Sequence, residues 1–132
     1  MILTLVNTPL ETFVQSLASR DFDAIEGTFA PDVQFRALVP PGLREAQNPK
    51  DARKYIEGWF GDADEFEMVG HAISLVNRDR IHVSYRIHMR EGDIDSGVPC
   101  VVEQNIFVNT DADGNMEKFD LVCSGPVPRG TT

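Results

Sequence analysis

Cysteine, basic residues, histidine and long apolar runs are all scarce in this sequence, and each scarcity removes a class of answer. Only Cys100 and Cys123 occur among 132 residues, too few for a disulfide framework, so a reducing cytoplasm is the simplest compartment to expect. Lys and Arg number 12 against 21 Asp and Glu, a formal net charge of −9. That field repels a phosphate backbone and an anionic bilayer alike, which argues against nucleic acid or membrane as partner. Of the three histidines, His82 and His88 are six residues apart on one extended segment, about 20 Å at 3.3 Å per residue, too far to share an ion. His71 reads as a surface residue. The acidic run Asp62, Asp64, Glu65 lacks the spacing of a calcium loop. No metal and no cofactor is expected. The apolar opening Met1-Ile2-Leu3-Thr4-Leu5-Val6 is too short to span a bilayer and has neither basic flank nor small-residue cleavage site, so it reads as no export signal.

What is present is one domain's worth of core, with 42% hydrophobic residues spread over residues 1–132. Residues 1–7 read as an extension, and residues 125–132, with Pro126, Pro128 and Gly130, as a frayed tail. The organising stretch is 81–108. From Arg80 to Arg90 every odd position is apolar or aromatic and every even one polar, the period of a half-buried strand. The partner, residues 100–108, follows a Gly-rich turn at 92–97, making a hairpin. Simple register pairs Tyr85 with Gln104, Arg86 with Glu103 and, across a second turn at Asp111-Ala112-Asp113-Gly114, Gln104 with Cys123 in a last strand of residues 116–124. Cys100 then lies four residues from the position opposite Cys123, about 13 Å away and beyond the roughly 7 Å a disulfide spans.

Helix signals open the chain. Thr8-Pro9-Leu10-Glu11 is a capping box with proline at the first helical position, and Leu10, Phe13, Val14, Leu17 and Ala18 follow as one stripe. Asp21 caps a short second helix, with Phe22, Ile25 and Phe29 inward, that Pro31 ends. A strand over 33–39 stops at Pro40-Pro41-Gly42, and a polar loop follows. Asn48-Pro49 starts a third helix with Ala52, Tyr55, Ile56, Trp59 and Phe60 inward, stopped at Gly61. Residues 65–77 are apolar on both parities, as in a strand covered on both sides. Helices on one face of an antiparallel sheet make an α+β domain.

This order of elements, with Asp21-Phe22-Asp23-Ala24-Ile25-Glu26-Gly27-Thr28-Phe29-Ala30-Pro31-Asp32-Val33 between helix and strand and Asp113-Gly114-Asn115-Met116-Glu117-Lys118-Phe119-Asp120 at the final turn, resembles the NTF2-like superfamily, its SnoaL-like branch in particular. The resemblance covers residues 9–124 and implies an NTF2-like (cystatin-like) cone: three N-terminal helices packed on a curved mixed or antiparallel sheet, dimeric through the sheet's outer face, with a ligand cavity inside. Members include ketosteroid isomerases, polyketide cyclases, dehydratases and epoxide hydrolases, so fold cannot stand in for function. Matched to ketosteroid isomerase, whose carboxylate base works with a tyrosine and a neutral aspartic acid, this chain has Ala37 at the base, Phe13 at the tyrosine and Ile106 at the aspartic acid. None of the three can move a proton or stabilise an enolate. The Arg-Asp-Asp set of the epoxide hydrolases finds no match either.

The same matching turns Phe35, Ala37, Val83, Tyr85, Ile87, Val102, Gln104, Ile106, Phe119, Leu121 and Cys123 inward, with Phe13 from the first helix and Tyr55 and Trp59 from the third facing them. A mainly apolar wall suits a small hydrophobic molecule. Tyr85 and Gln104 are the candidate chemistry: they orient a ligand, they act with bound water in cofactor-free isomerisation, cyclisation or hydration, or they satisfy each other in a filled core. Cys123 as nucleophile lacks a basic partner. The alternative to an acid–base enzyme is a non-catalytic binding or dimeric interaction domain. Arg36 and Arg44, flanking the Pro-Pro-Gly turn, are expected either to face an anion at the cavity mouth or to pair with Glu45 or the acidic run.

Overall fold

A computed structural model describes residues 9–40, 42–90 and 98–128. Helix α1 (Pro9–Ser19) buries Leu10, Phe13, Val14 and Leu17 as the stripe requires, but Ser16 takes the buried place expected of Ala18, which is exposed. Thr8, the expected cap, lies outside the described residues. In α2 (Phe22–Glu26) the Asp21 carboxylate accepts from the Ala24 N–H, as the sequence predicts. The helix ends at Gly27, however, and Pro31 sits within strand β1 (Phe29–Val39). The pairing of β1 with the last long strand is irregular between Phe29 and Gln34, so the missing proline N–H breaks no ladder bond there.

After β1 the chain turns back into a short strand, β2 (Gly42–Ala46), where a polar loop was expected. Five residues on the sheet's edge with Arg44 and Glu45 among them carry little apolar signal, which is how edge strands are protected. Helix α3 (Pro49–Phe60) comes only then, so the three helices are not all N-terminal to the sheet. Its Asn48 cap accepts from Asp51 N–H, and Ala52, Ile56 and Phe60 are buried. Gly61 caps it, its N–H donating to the Glu57 carbonyl, and a Cβ there would meet that oxygen at 2.6 Å. Arg20, at the end of α1, donates to the carbonyls of Phe60 (3.0 Å) and Ala63 (2.9 Å) and so anchors that helix end. Arg53 ties α3 to α2 through Glu26 at 3.2 Å.

Strands β3 (Glu65–Asn77), β4 (Arg80–Arg90), β5 (Pro99–Thr110), β6 (Met116–Cys123) and β7 (Val127–Pro128) complete a sheet of order β2-β1-β6-β5-β4-β3. The sheet is mixed, because β1 runs parallel to β6. The hairpin registers are those expected: Tyr85 opposite Gln104, Arg86 opposite Glu103 and Gln104 opposite Cys123. The turn at 92–97 lies outside the described residues. Two expectations are corrected. Residues 127–128 are not frayed but pair with Cys100 and Val101. Strand β3, expected to be covered on both sides, is exposed along most of its length. Its two-sided apolar pattern has another cause: the register slips between Met68 and Gly70, so Phe66 and Met68 share the inner face with His71, Ile73 and Leu75 across a bulge that switches parity.

Candidate functional site

The inner face reads as a stack of rows. Phe35, Phe119, Val108 and Ile81 form one row, and Ala37, Leu121, Ile106 and Val83 the next. This end of the cone is solid. The Phe119 ring lies 4.9 Å from Phe35, 5.4 Å from Phe29 and 5.7 Å from Phe13, centroid to centroid, distances at which aromatic pairs attract beyond their area. Tyr55 stacks on Phe35 at 5.9 Å, and Trp59 follows at 6.4 Å.

The third row is polar: Cys123, Gln104 and Tyr85, continued at the edge by His71 opposite Tyr85. His71 is exposed, as expected of a surface histidine, and the bulge is what turns it to this face. Beyond this row the packing loosens into a cavity of about 240 Å³, floored by Val39, Met89, Val102, Gln104 and Cys123, roofed by residues 58–60 of α3, and rimmed by Pro40, Gly125 and Pro126. Gly125 has a positive φ of 75°, and a Cβ there would press on Pro40 at 2.9 Å, so glycine is what lets the rim close. Of the residues expected to touch a ligand, the structure brings Trp59, Gln104 and Cys123 to this cavity. Phe13, Phe35, Ala37, Val83, Ile87, Ile106 and Phe119 are buried in the core with Tyr85, and Tyr55 packs partly buried beside them.

Tyr85 donates its hydroxyl hydrogen to Gln104 Oε1. Burial pushes the Tyr85 phenol well above its ordinary value, with the Cys123 thiol adding to the shift. Among the described residues neither Asp, Glu, His, Lys nor Arg lines the cavity; their one ionisable group there is Cys123, whose sulfur accepts from Gly125 N–H at 3.3 Å. Among the described residues no cluster of His, Cys, Asp and Glu could hold a metal. Cys100 and Cys123 are both free.

The outer face carries the charges. Arg86 pairs with Glu103 at 2.8 Å, as expected, and His82 stacks on Phe107 at 4.8 Å. Arg36 pairs with Asp120 at 2.9 Å rather than with Glu45 or the acidic run, and Arg80 reaches the same carboxylate at 2.7 Å. Burial would raise the Asp120 carboxyl, but the hydrogen bonds and charges of the two arginines prevail and hold it below the usual carboxylate value. A wider hollow of about 370 Å³ at the β3 bulge is lined by residues 69–71, 84–86 and 103–105, where the charged pair Arg86 and Glu103 answer each other.

Residues 10–122 match the model of the SnoaL-like domain. The chain belongs to the SnoaL-like family. Similar solved structures place this SnoaL-like domain in the NTF2-like fold. One is a protein from Xanthomonas campestris proposed to be a polyketide cyclase, 13% identical with a TM-score of 0.67 and 86% of each chain covered. A phenazine biosynthesis-related protein of Pseudomonas aeruginosa is 12% identical at TM-score 0.66, covering 94% of this chain and 90% of its own. An LEH-like epoxide hydrolase of Mycobacterium tuberculosis is 13% identical at TM-score 0.62, covering 88% and 80%. At such identities the likeness is one of fold. No curated protein matches the sequence. Among the described residues no helix of the SnoaL-like domain is long and apolar enough to cross a membrane.

Proposed function

We propose that this SnoaL-like domain binds a small, mostly apolar molecule at the mouth of its cone and holds it without acid–base chemistry. The observation that carries this is the cavity of about 240 Å³ whose wall, among the described residues, contains no carboxylate, imidazole or cation. A void of about 150 Å³ accommodates benzene, so this one suits a molecule of one or two rings; a larger polycycle would project past Pro40 and Pro126. Catalysis through Tyr85 is disfavoured because a general acid works best with a pKa near the operating pH, whereas this phenol is driven upward and its proton is committed to Gln104. The two free cysteines fit a reducing, cytoplasmic setting. A thermal-shift screen with tetralin-sized hydrocarbons and ketones tests the reading: saturable stabilisation is expected, and none from any of them would retire it.

A second reading concerns assembly. Leu43, Leu38 and Val122 lie side by side across three strands of the outer face, 54%, 54% and 49% exposed, a contiguous apolar row of the kind that marks an interface. We propose that two copies pair through it. Light scattering after size exclusion should give twice the mass of 14.7 kDa, falling to one with Leu38→Glu and Val122→Glu together; a monomeric parent would refute the pairing.

A further inference from the structure

We infer that the cavity selects ligands by an acceptor oxygen, taken up by the side-chain amide of Gln104, with Tyr85 as the positioning residue that fixes which end of the amide faces the ligand. This rests on the binding reading above and names its ligand class: small, neutral carbonyl compounds such as cyclic ketones and lactones.

A glutamine side chain has one acceptor oxygen and two N–H donors. Tyr85 has a single hydroxyl hydrogen, keeps it because the ring is desolvated, and gives it to Oε1. With Oε1 held toward Tyr85, Nε2 faces the other way. Among the described residues no acceptor meets that nitrogen, although Gln104 is only 1% exposed. It is nonetheless not sealed in, since Gln104 forms part of the cavity floor. Nε2 is not among the fully enclosed unpartnered atoms, so it keeps some access; a largely desolvated donor gains from an acceptor that reaches it, and the cavity is a place from which one can arrive.

The rest of the wall sharpens the choice. The other polar side chain on the floor, Cys123, already receives the Gly125 N–H on its sulfur. Among the described side chains the cavity thus offers a donor and no free strong acceptor, so a carbonyl is served where a group that only donates is not. An anion is disfavoured too, because among the described residues no cation lines the wall to offset its desolvation. Between two molecules of equal shape, the one with an exposed carbonyl oxygen is retained.

Trp59 is the one tryptophan of the chain and lines the cavity, so its fluorescence reports binding directly. Tetralone, tetralin and tetralol share a skeleton and differ at one oxygen. Each is titrated against the parent, Gln104→Leu, the volume-matched Gln104→Met, and Tyr85→Phe; the methionine variant serves if the leucine one does not fold. Comparing ratios of Kd between variants cancels the unequal cost of removing each compound from water. The preference for tetralone over tetralin should fall about three- to tenfold on loss of the amide. In Tyr85→Phe the amide is free to turn its oxygen to the cavity, so the ratio of tetralone to tetralol should shift toward the alcohol, a change that mere loosening of the core would not produce. If all three compounds bind the parent but neither ratio moves in any variant, the inference is overturned while the binding reading stands. If none of the three binds, both fall.

Discussion

Truncating Phe119 to alanine separates a solid core from a hollow one. Phe119 is fully buried, and its ring meets Phe13, Phe29 and Phe35 on three sides at 4.9 to 5.7 Å. Removing a packed phenylalanine side chain costs about 3–5 kcal/mol, the transfer of its atoms plus the void left behind. At about 2.1 cal/mol/K per residue, 132 residues give an unfolding entropy near 0.28 kcal/mol/K, so Tm should drop by about 11–18 °C. A total stability in the middle of the usual range, about 10 kcal/mol, leaves the variant folded at room temperature. Urea titration followed by circular dichroism measures the change, with the slope m near that of the parent if only packing is lost. Met89→Ala is the contrast: it borders the cavity, lacks partners on one side, and should cost near the low end of its range, about 2 kcal/mol. A Phe119→Ala loss below about 1.5 kcal/mol would show that this end of the cone is already open, and the assignment of the cavity to the mouth would fail.

Three further outcomes follow from single positions. Gly58 and Gly61 should respond to alanine with opposite signs. A Cβ at Gly58 meets nothing within 4 Å while one at Gly61 strikes the Glu57 carbonyl at 2.6 Å; thermal melts should show Gly58→Ala gaining about 0.5–1 kcal/mol from helix propensity and Gly61→Ala losing stability. Asp120, held below its ordinary value by Arg36 and Arg80, stabilises the fold above the unfolded carboxylate value of about 4, and that contribution is lost as pH falls below it. Asp120→Asn should therefore flatten the acid limb of the stability curve, and an unchanged limb would contradict the pairing. Tyr85 works in the alkaline direction: its folded value is raised, so its contribution is complete below about pH 10 and declines above it. Absorbance titration should show one of the two tyrosines ionising only as the fold opens, and Tyr85→Phe should remove that delayed step.

Much of the architecture was legible because local chemistry and burial agree. The strict alternation of residues 80–90, paired through a countable register, placed Tyr85 opposite Gln104 and Gln104 opposite Cys123, as found. Asp21 and Asn48 announced their helices because a side-chain oxygen must answer an unpaired N–H at each start. What was not legible has particular causes. Pro31 reads as a helix stop, yet sits at an irregularity in β1 that depends on a strand more than 80 residues away. The bulge in β3 exchanges faces midway, so parity counting gave no answer for His71. Strand β2 is too short and polar to stand out, and β7 is only two residues long. The candidate site was half visible: alternation tells which side chains point inward, but whether they meet one another, as Phe13, Phe35 and Phe119 do, or meet a void, as Gln104 and Cys123 do, depends on where α3 ends and how the Pro40 and Gly125 segments close over it.

On the binding reading, Gln104 presents an unmet donor to the cavity at the cone's mouth. Side-chain amide resonances of Gln104, assigned by their loss in Gln104→Met and followed by nitrogen-15 NMR during a tetralone titration, test it most directly. Saturable movement of both N–H signals with tetralone, and a weaker response to tetralin, is the predicted result. Resonances that stay fixed while Trp59 fluorescence reports binding would contradict it.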